Sequence, residues 1–108
     1  WERGFKAVMD DAVAEALSSA DHLYISIDVD SLDPAFAPGT GTPEPGGILS
    51  ADLLRMVRRL CLEHDVVGVD IVEVAPAYDV SELTVNVVHR LAFECLAGMA
   101  ARRRNNAS

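Results

Sequence analysis

Two runs of almost uninterrupted apolar residues, Leu23 to Ile27 and Val66 to Val74, most tightly limit how this chain can fold. Strands with one wet face alternate apolar and polar side chains, whereas near-continuous apolar runs suit parallel strands covered on both faces. Parallel neighbours need a crossover, and the interval between the runs supplies one. Leu53, Leu54, Val57, Leu60 and Cys61 form one stripe of a helix predicted over Ala51 to Glu63, with Ser50 as its N-cap. An amphipathic helix before the first strand is predicted from Phe5, Val8, Met9, Ala12, Val13, Ala16 and Leu17, with Asp10, Asp11 and Glu15 on a solvated face. A last helix, with Ser81 as its predicted cap, carries Leu83, Val87, Val88, Leu91 and Leu96. So small a polar face suits a helix that is deeply buried or lies at a subunit interface. The class is α/β, and the 108 residues, half of them hydrophobic and joined by no polar linker, allow at most one small domain. Two parallel strands cannot bury both faces of their own sheet, so neighbouring strands are expected from outside this stretch.

The first strand ends in Asp28 and Asp30. On a continuing strand, residues i and i+2 point the same way about 7 Å apart, close enough to serve one metal ion or two adjacent ones. Two ionised carboxylates so placed repel unless a cation lies between them. The alternative is that these aspartates only end a strand and open a turn, since aspartate is common in turns. The residues that follow favour a site. Asp33-Pro34 opens a long loop with almost no apolar content, Ala37-Pro38-Gly39-Thr40-Gly41-Thr42-Pro43-Glu44-Pro45-Gly46-Gly47. Loops of this length inside small domains tend to be functional. Pro34, Pro38, Pro43 and Pro45 each fix φ, so the loop is expected to be rigid and to wall a site. On the second strand, Glu73 interrupts an apolar run, and a carboxylate there needs a cationic or hydrogen-bonding partner. A structural arginine is one possibility and a bound ligand the other. In open parallel sheets ligands bind beyond the carboxyl ends of the strands, and Asp28, Asp30 and Glu73 all fall at or near such ends.

These residues resemble two signature blocks of the ureohydrolases, the family of arginases and agmatinases. Ser26-Ile27-Asp28-Val29-Asp30, Pro34, Pro38-Gly39 and Gly47 are similar to one block, and Gly68-Val69-Asp70-Ile71-Val72-Glu73-Val74-Ala75-Pro76 to another. The form of the 37–47 loop is more similar to agmatinases than to arginases. The resemblance implies a three-layer αβα fold with a parallel sheet, of which residues 1–108 would be the C-terminal part of a single domain. It further implies manganese-dependent hydrolysis of a guanidino carbon to urea and an amine, with two Mn2+ ions per site. Asp28 resembles the carboxylate shared by the two metals, Asp30 the one that chelates a single metal, and Glu73 the residue that orients the guanidinium. Thr42 would line the pocket, or serve as an ordinary turn hydroxyl. Oxygen ligands suit manganese, although the spacing alone admits magnesium or calcium. Agmatine, guanidinobutyrate and related compounds are the expected substrates, with arginine behind them. A homo-oligomer, trimer or hexamer, is implied as well.

The family's site also draws on histidines and on an Asp-x-His-x-Asp run, which does not occur in this sequence. His22 precedes the first strand at the end away from the aspartates, His64 ends a helix where a cation suits the dipole, and His89 is expected in mid-helix. The stretch by itself is therefore expected to be inactive. Other uses of paired aspartates fit less well. A haloacid-dehalogenase-type phosphatase would have Thr or Val where Leu32 stands, and a calcium loop would need a polar residue at Leu32 and Gly at Asp33. A non-catalytic, assembly-forming relative that has lost its metals is the alternative from a different class. The formal net charge of −8 argues against nucleic acid as a partner, and Arg102 to Arg104 are expected to complement the last helix's C-terminus. Cys61 and Cys95 read as buried, reduced thiols. With no membrane-length apolar run and no signal-peptide pattern, the expectation is a soluble cytoplasmic protein that is not held at a membrane.

Overall fold

A computed structural model describes residues 2–107. The chain runs α1 (Gly4–Ala16), β1 (Leu23–Asp28), a single 3-10 turn (Val29–Ser31), α2 (Ser50–Glu63), β2 (Val66–Val72), a second 3-10 turn (Pro76–Tyr78) and α3 (Leu83–Asn106). The strands pair in parallel, from Leu23 opposite Val66 to Asp28 opposite Val72, with a bulge after the first pair. β1, α2 and β2 thus form the expected crossover unit. A further isolated parallel bridge joins Leu32 to Ile48 and closes the base of the long loop.

The core lies between the sheet and the pair α2 and α3. Ile27, Leu53, Val57, Cys61, Leu91 and Cys95 are buried there, with Leu32 and Ala37 of the loop, and Ile25, Val69 and Ile71 pack against them. Gly98 lets the two helices approach: a Cβ on it would stand 2.7 Å from Cys61 Cβ and 2.9 Å from the Arg58 carbonyl oxygen. Beside this crossing Glu94 is buried, and its carboxylate accepts from Arg90 Nε at 2.9 Å and Arg58 Nη1 at 2.8 Å. Those two guanidinium groups, Arg90 foremost, hold it below the usual carboxylate range. Cys61 and Cys95 are free and buried as expected.

Several local expectations are corrected. The helix begins at Ser50 itself, with Leu49 as its cap, because the Leu49 carbonyl accepts from both Asp52 and Leu53 N–H. Ser81 does not cap α3 either. Glu82 takes the cap position in a left-handed conformation without a side-chain bond, and the amides of the first turn are met by Asp79 instead. Arg102 donates to the Glu63 carbonyl at 3.0 Å, so it closes the end of α2, while Arg103 and Arg104 occupy the last turn of α3. Helix α1 forms where predicted but buries no residue, and Val8 remains half exposed. It is tied to α2 by an ion pair between Asp10 and Arg59, with Lys6 also on Asp10 at 2.7 Å, so Asp10 is not merely solvated. The sheet is covered on one face only within the described residues. On the other, Tyr24 is 63% exposed, and its hydroxyl and that of Ser26 donate to Asp70 at 2.8 and 2.6 Å. α3 likewise keeps Phe93 and Leu96 exposed. No helix among the described residues is long and apolar enough to cross a membrane.

Candidate active site

Asp28 is the last residue of β1 and stands opposite Val72, the last residue of β2, so Glu73 follows directly at the same carboxyl edge. The strand does not continue to Asp30. Asp28 caps a 3-10 turn, and its Oδ1 accepts the Asp30 N–H at 3.0 Å, while its carbonyl accepts the Ser31 hydroxyl at 2.7 Å. The two aspartates are therefore joined through a turn and not by strand alternation. The same bond leaves Asp28 Oδ2 without a partner among the described residues.

Asp30 is held from the loop. Thr42 Oγ1 donates to Asp30 Oδ2 at 2.7 Å, so the loop reaches back to the second aspartate. The loop that carries Thr42 is ordered by its own backbone and by one carboxylate. Asp33 accepts the N–H of Ala35 and of Gly46, each at 2.9 Å, and its N–H donates to the Ile48 carbonyl. Those amides, that of Ala35 foremost, hold the Asp33 carboxyl below its ordinary value. At the closing point Gly47 has no room for a side chain, since a Cβ would lie 2.5 Å from Asp33 N and 2.6 Å from the Leu32 carbonyl carbon. Ala37, Gly39 and Thr40 are buried at the root of the loop, while residues 41 to 46, Thr42 among them, are exposed. Beside the φ angles that its prolines fix, Asp33 thus ties the two ends of the loop together.

Glu73 departs from its expected setting. It lies one residue beyond β2, is exposed, and has φ 68°, in the left-handed region that non-glycine residues seldom occupy. Its carboxylate has no hydrogen bond or ion pair among the described residues. No structural arginine neutralises it, and it needs none because it is not buried. The histidines stand apart. His22 bonds Asp65 at 2.7 Å at the amino end of the strands, His64 follows α2, and His89 lies on the exposed side of α3. No group of three or more His, Cys, Asp or Glu among the described residues is arranged to hold a metal ion. Asp28 and Asp30 offer oxygen donors suited to a hard divalent cation, but only part of a coordination shell. Asp79 escaped the sequence reading. Its position just ahead of a helix is an N-terminal signal, obscured because three residues intervene before α3 begins.

The geometry can be set beside known proteins. The profile of the arginase family matches residues 1–98. Agmatinases of Klebsiella pneumoniae and of Escherichia coli are each 45% identical over 97 residues, an alignment covering 88% of this chain and 31% of theirs. Among solved structures, a hypothetical agmatinase from Burkholderia thailandensis superposes with a TM-score of 0.80 at 41% identity, covering 99% of this chain and 33% of that one. The formimidoylglutamase of Bacillus subtilis superposes with a TM-score of 0.85 at 30% identity, covering 92% and 31%. The chain spans about a third of the length of these relatives. A parallel strand pair ending in paired aspartates, a clasped loop bringing Thr42 to them, and a family match over nine-tenths of the sequence lead to one assignment: this chain belongs to the arginase family.

Proposed function

We propose that this chain is the C-terminal part of a manganese-dependent hydrolase that cleaves an agmatine-like guanidino compound to urea and an amine. The observation that carries the reading is the gathering of Asp28, Asp30 and Thr42 at one strand end, with the unpaired Glu73 at the end of the adjacent strand. Asp28 and Asp30 would hold the manganese ions through their carboxylate oxygens, the remaining ligands coming from residues beyond the described ones. When bound, the metal pair supplies a water acidic enough to be a nucleophile near neutral pH.

The chain's own residues do the rest. Glu73 meets the guanidinium through paired charge-assisted hydrogen bonds, for which its carboxylate is open. Thr42 fixes the rotation of Asp30. Overall, water adds to the guanidino carbon, the bond from that carbon to the alkyl nitrogen breaks, and a proton passes to the departing amine. The exposed Phe93 and Leu96 on α3 suit contact between copies in a homo-oligomer.

The test is urea release by the complete protein with manganese, offered agmatine, guanidinobutyrate and arginine in parallel. Activity on a guanidino compound, lost in Asp28→Asn, supports the reading. A protein that takes up no manganese and releases no urea is instead a non-catalytic relative. The 108-residue chain alone is expected to release none.

A further inference from the structure

Behind the carboxylates, three segments meet at a single residue. Gly39, in the middle of the clasped loop, donates its N–H to Thr84 Oγ1 at 2.7 Å, and its carbonyl accepts the N–H of Ala75 at 2.7 Å. Thr84 is tied to Asp79 in turn through its backbone N–H, which Asp79 Oδ1 accepts at 3.0 Å. Asp79 Oδ1 also accepts the N–H of Val80 at 2.9 Å, and Oδ2 that of Val85 at 3.1 Å. Thr84 is wholly buried, and Gly39 fits so closely that a Cβ would stand 2.8 Å from Asp79 Cβ and 2.9 Å from Thr84 Oγ1. A relay therefore runs from Gly39 through Thr84 to Asp79, with the start of α3 as its anchor.

Both walls of the site hang from this relay. Three residues on from Gly39, Thr42 holds Asp30. On the other side, the last sheet pair is Asp28 with Val72, and the next fixed point is the bond from Ala75 to Gly39. Glu73 and Val74 bridge those two points alone. The Glu73 side chain has no partner to hold it, and its left-handed backbone persists only where the surroundings dictate it. Its place is thus set through the backbone, by whatever fixes Ala75.

We propose that Asp79, acting through Thr84 and Gly39, is a positioning residue that sets where Glu73 stands relative to Asp28 and Asp30, and so governs guanidinium binding without touching it. This rests on the reading of Glu73 given above. The experiment uses the complete manganese-loaded protein and compares wild type with Asp79→Asn, Thr84→Val and Thr84→Ser. KM for the guanidino substrate, bound manganese per subunit and hydrogen exchange at the Ala75 amide are measured on each. Since a displacement of about 1 Å at a reacting group costs up to about 100-fold, KM should rise roughly 10- to 100-fold in Asp79→Asn and in Thr84→Val. Manganese content should hold, Ala75 exchange should quicken, and Thr84→Ser, which keeps the hydroxyl, should stay near wild type. Thr84→Val keeps the volume of the side chain and serves if Asp79→Asn does not fold. An unchanged KM with a lowered unfolding temperature would reduce Asp79 to a stabiliser of α3 and overturn the proposal while the functional reading stood. Equal damage from Thr84→Ser and Thr84→Val would overturn it too. A wild type that binds manganese yet hydrolyses no guanidino compound would sink the functional reading, and this proposal with it.

Discussion

The carboxyl edge of the sheet and the amino-terminal helix are built on opposite terms. At the edge, Asp33 and Asp79 satisfy backbone amides that would otherwise lack partners, Leu32, Ala37 and Thr84 are fully buried, and two glycines sit where no Cβ fits. Helix α1 has no fully buried residue; Phe5, Met9 and Val13 are only part-buried, and ion pairs through Asp10 help tie it to α2. Exposed ion pairs contribute little to stability, with a median of about 0–1 kcal/mol. The difference teaches where this chain carries its own determinants of structure. The loop and turns at the carboxyl edge are held by hydrogen bonds and burial within the described residues, whereas one sheet face and the outer side of α1 are left open.

The contrast can be sharpened by substitution in the complete protein, followed by denaturant unfolding. Leu91→Ala removes a fully buried side chain between α2, α3 and the sheet and should cost about 2–5 kcal/mol. Gly47→Ala forces a methyl against the Leu32–Asp33 peptide and should cost about 1–3 kcal/mol. A change in α1, such as Val8→Ser, should stay within about 0.5 kcal/mol because that side chain is half exposed. If Val8→Ser proved as damaging as Leu91→Ala, α1 would be covered in the complete protein, and the contrast would belong to the isolated stretch only.

Acid should act on the same edge. Burial pushes the Asp79 carboxyl up, but the Thr84, Val85 and Val80 amides outweigh it and hold the group below its ordinary value, as amides do for Asp33. A carboxyl lowered on folding stabilises above its unfolded value of about 4, and that stability is lost as pH falls through the lower folded values. Unfolding midpoints followed from about pH 6 to pH 2 should therefore drop below about pH 4, and drop less steeply in Asp79→Asn. An unaltered acid limb in that variant would mean that Asp79 titrates alike in the folded and unfolded chain.

Much of this was legible in the sequence. The apolar runs and the stripe of Leu53, Val57, Leu60 and Cys61 announce the crossover unit, because burial patterns repeat with the period of the element. Asp28, Asp30 and the proline-rich loop mark the candidate site for the same local reason. Capping was less legible. Ser50 and Ser81 are good caps by residue type, yet the Leu49 carbonyl and the Asp79 carboxylate meet the amides, since partners are chosen by where the incoming chain runs. Strand alternation also failed at Asp30, because the Asp28 carboxylate takes the Asp30 amide and turns the chain into a 3-10 turn. Glu73 looked buried from its apolar neighbours, but the strand stops at Val72 and a left-handed residue turns it out. The Gly39 relay joins residues up to 45 positions apart, and no short pattern encodes it.

The most direct test of the central claim is urea release by the complete protein with manganese and agmatine, measured beside its Asp28→Asn variant. Loss of a metal ligand should exceed the roughly 10- to 100-fold penalty of disturbing an outer partner, so the account predicts urea from the wild type and a fall of more than about 100-fold in the variant. Equal urea release from the two proteins would contradict it.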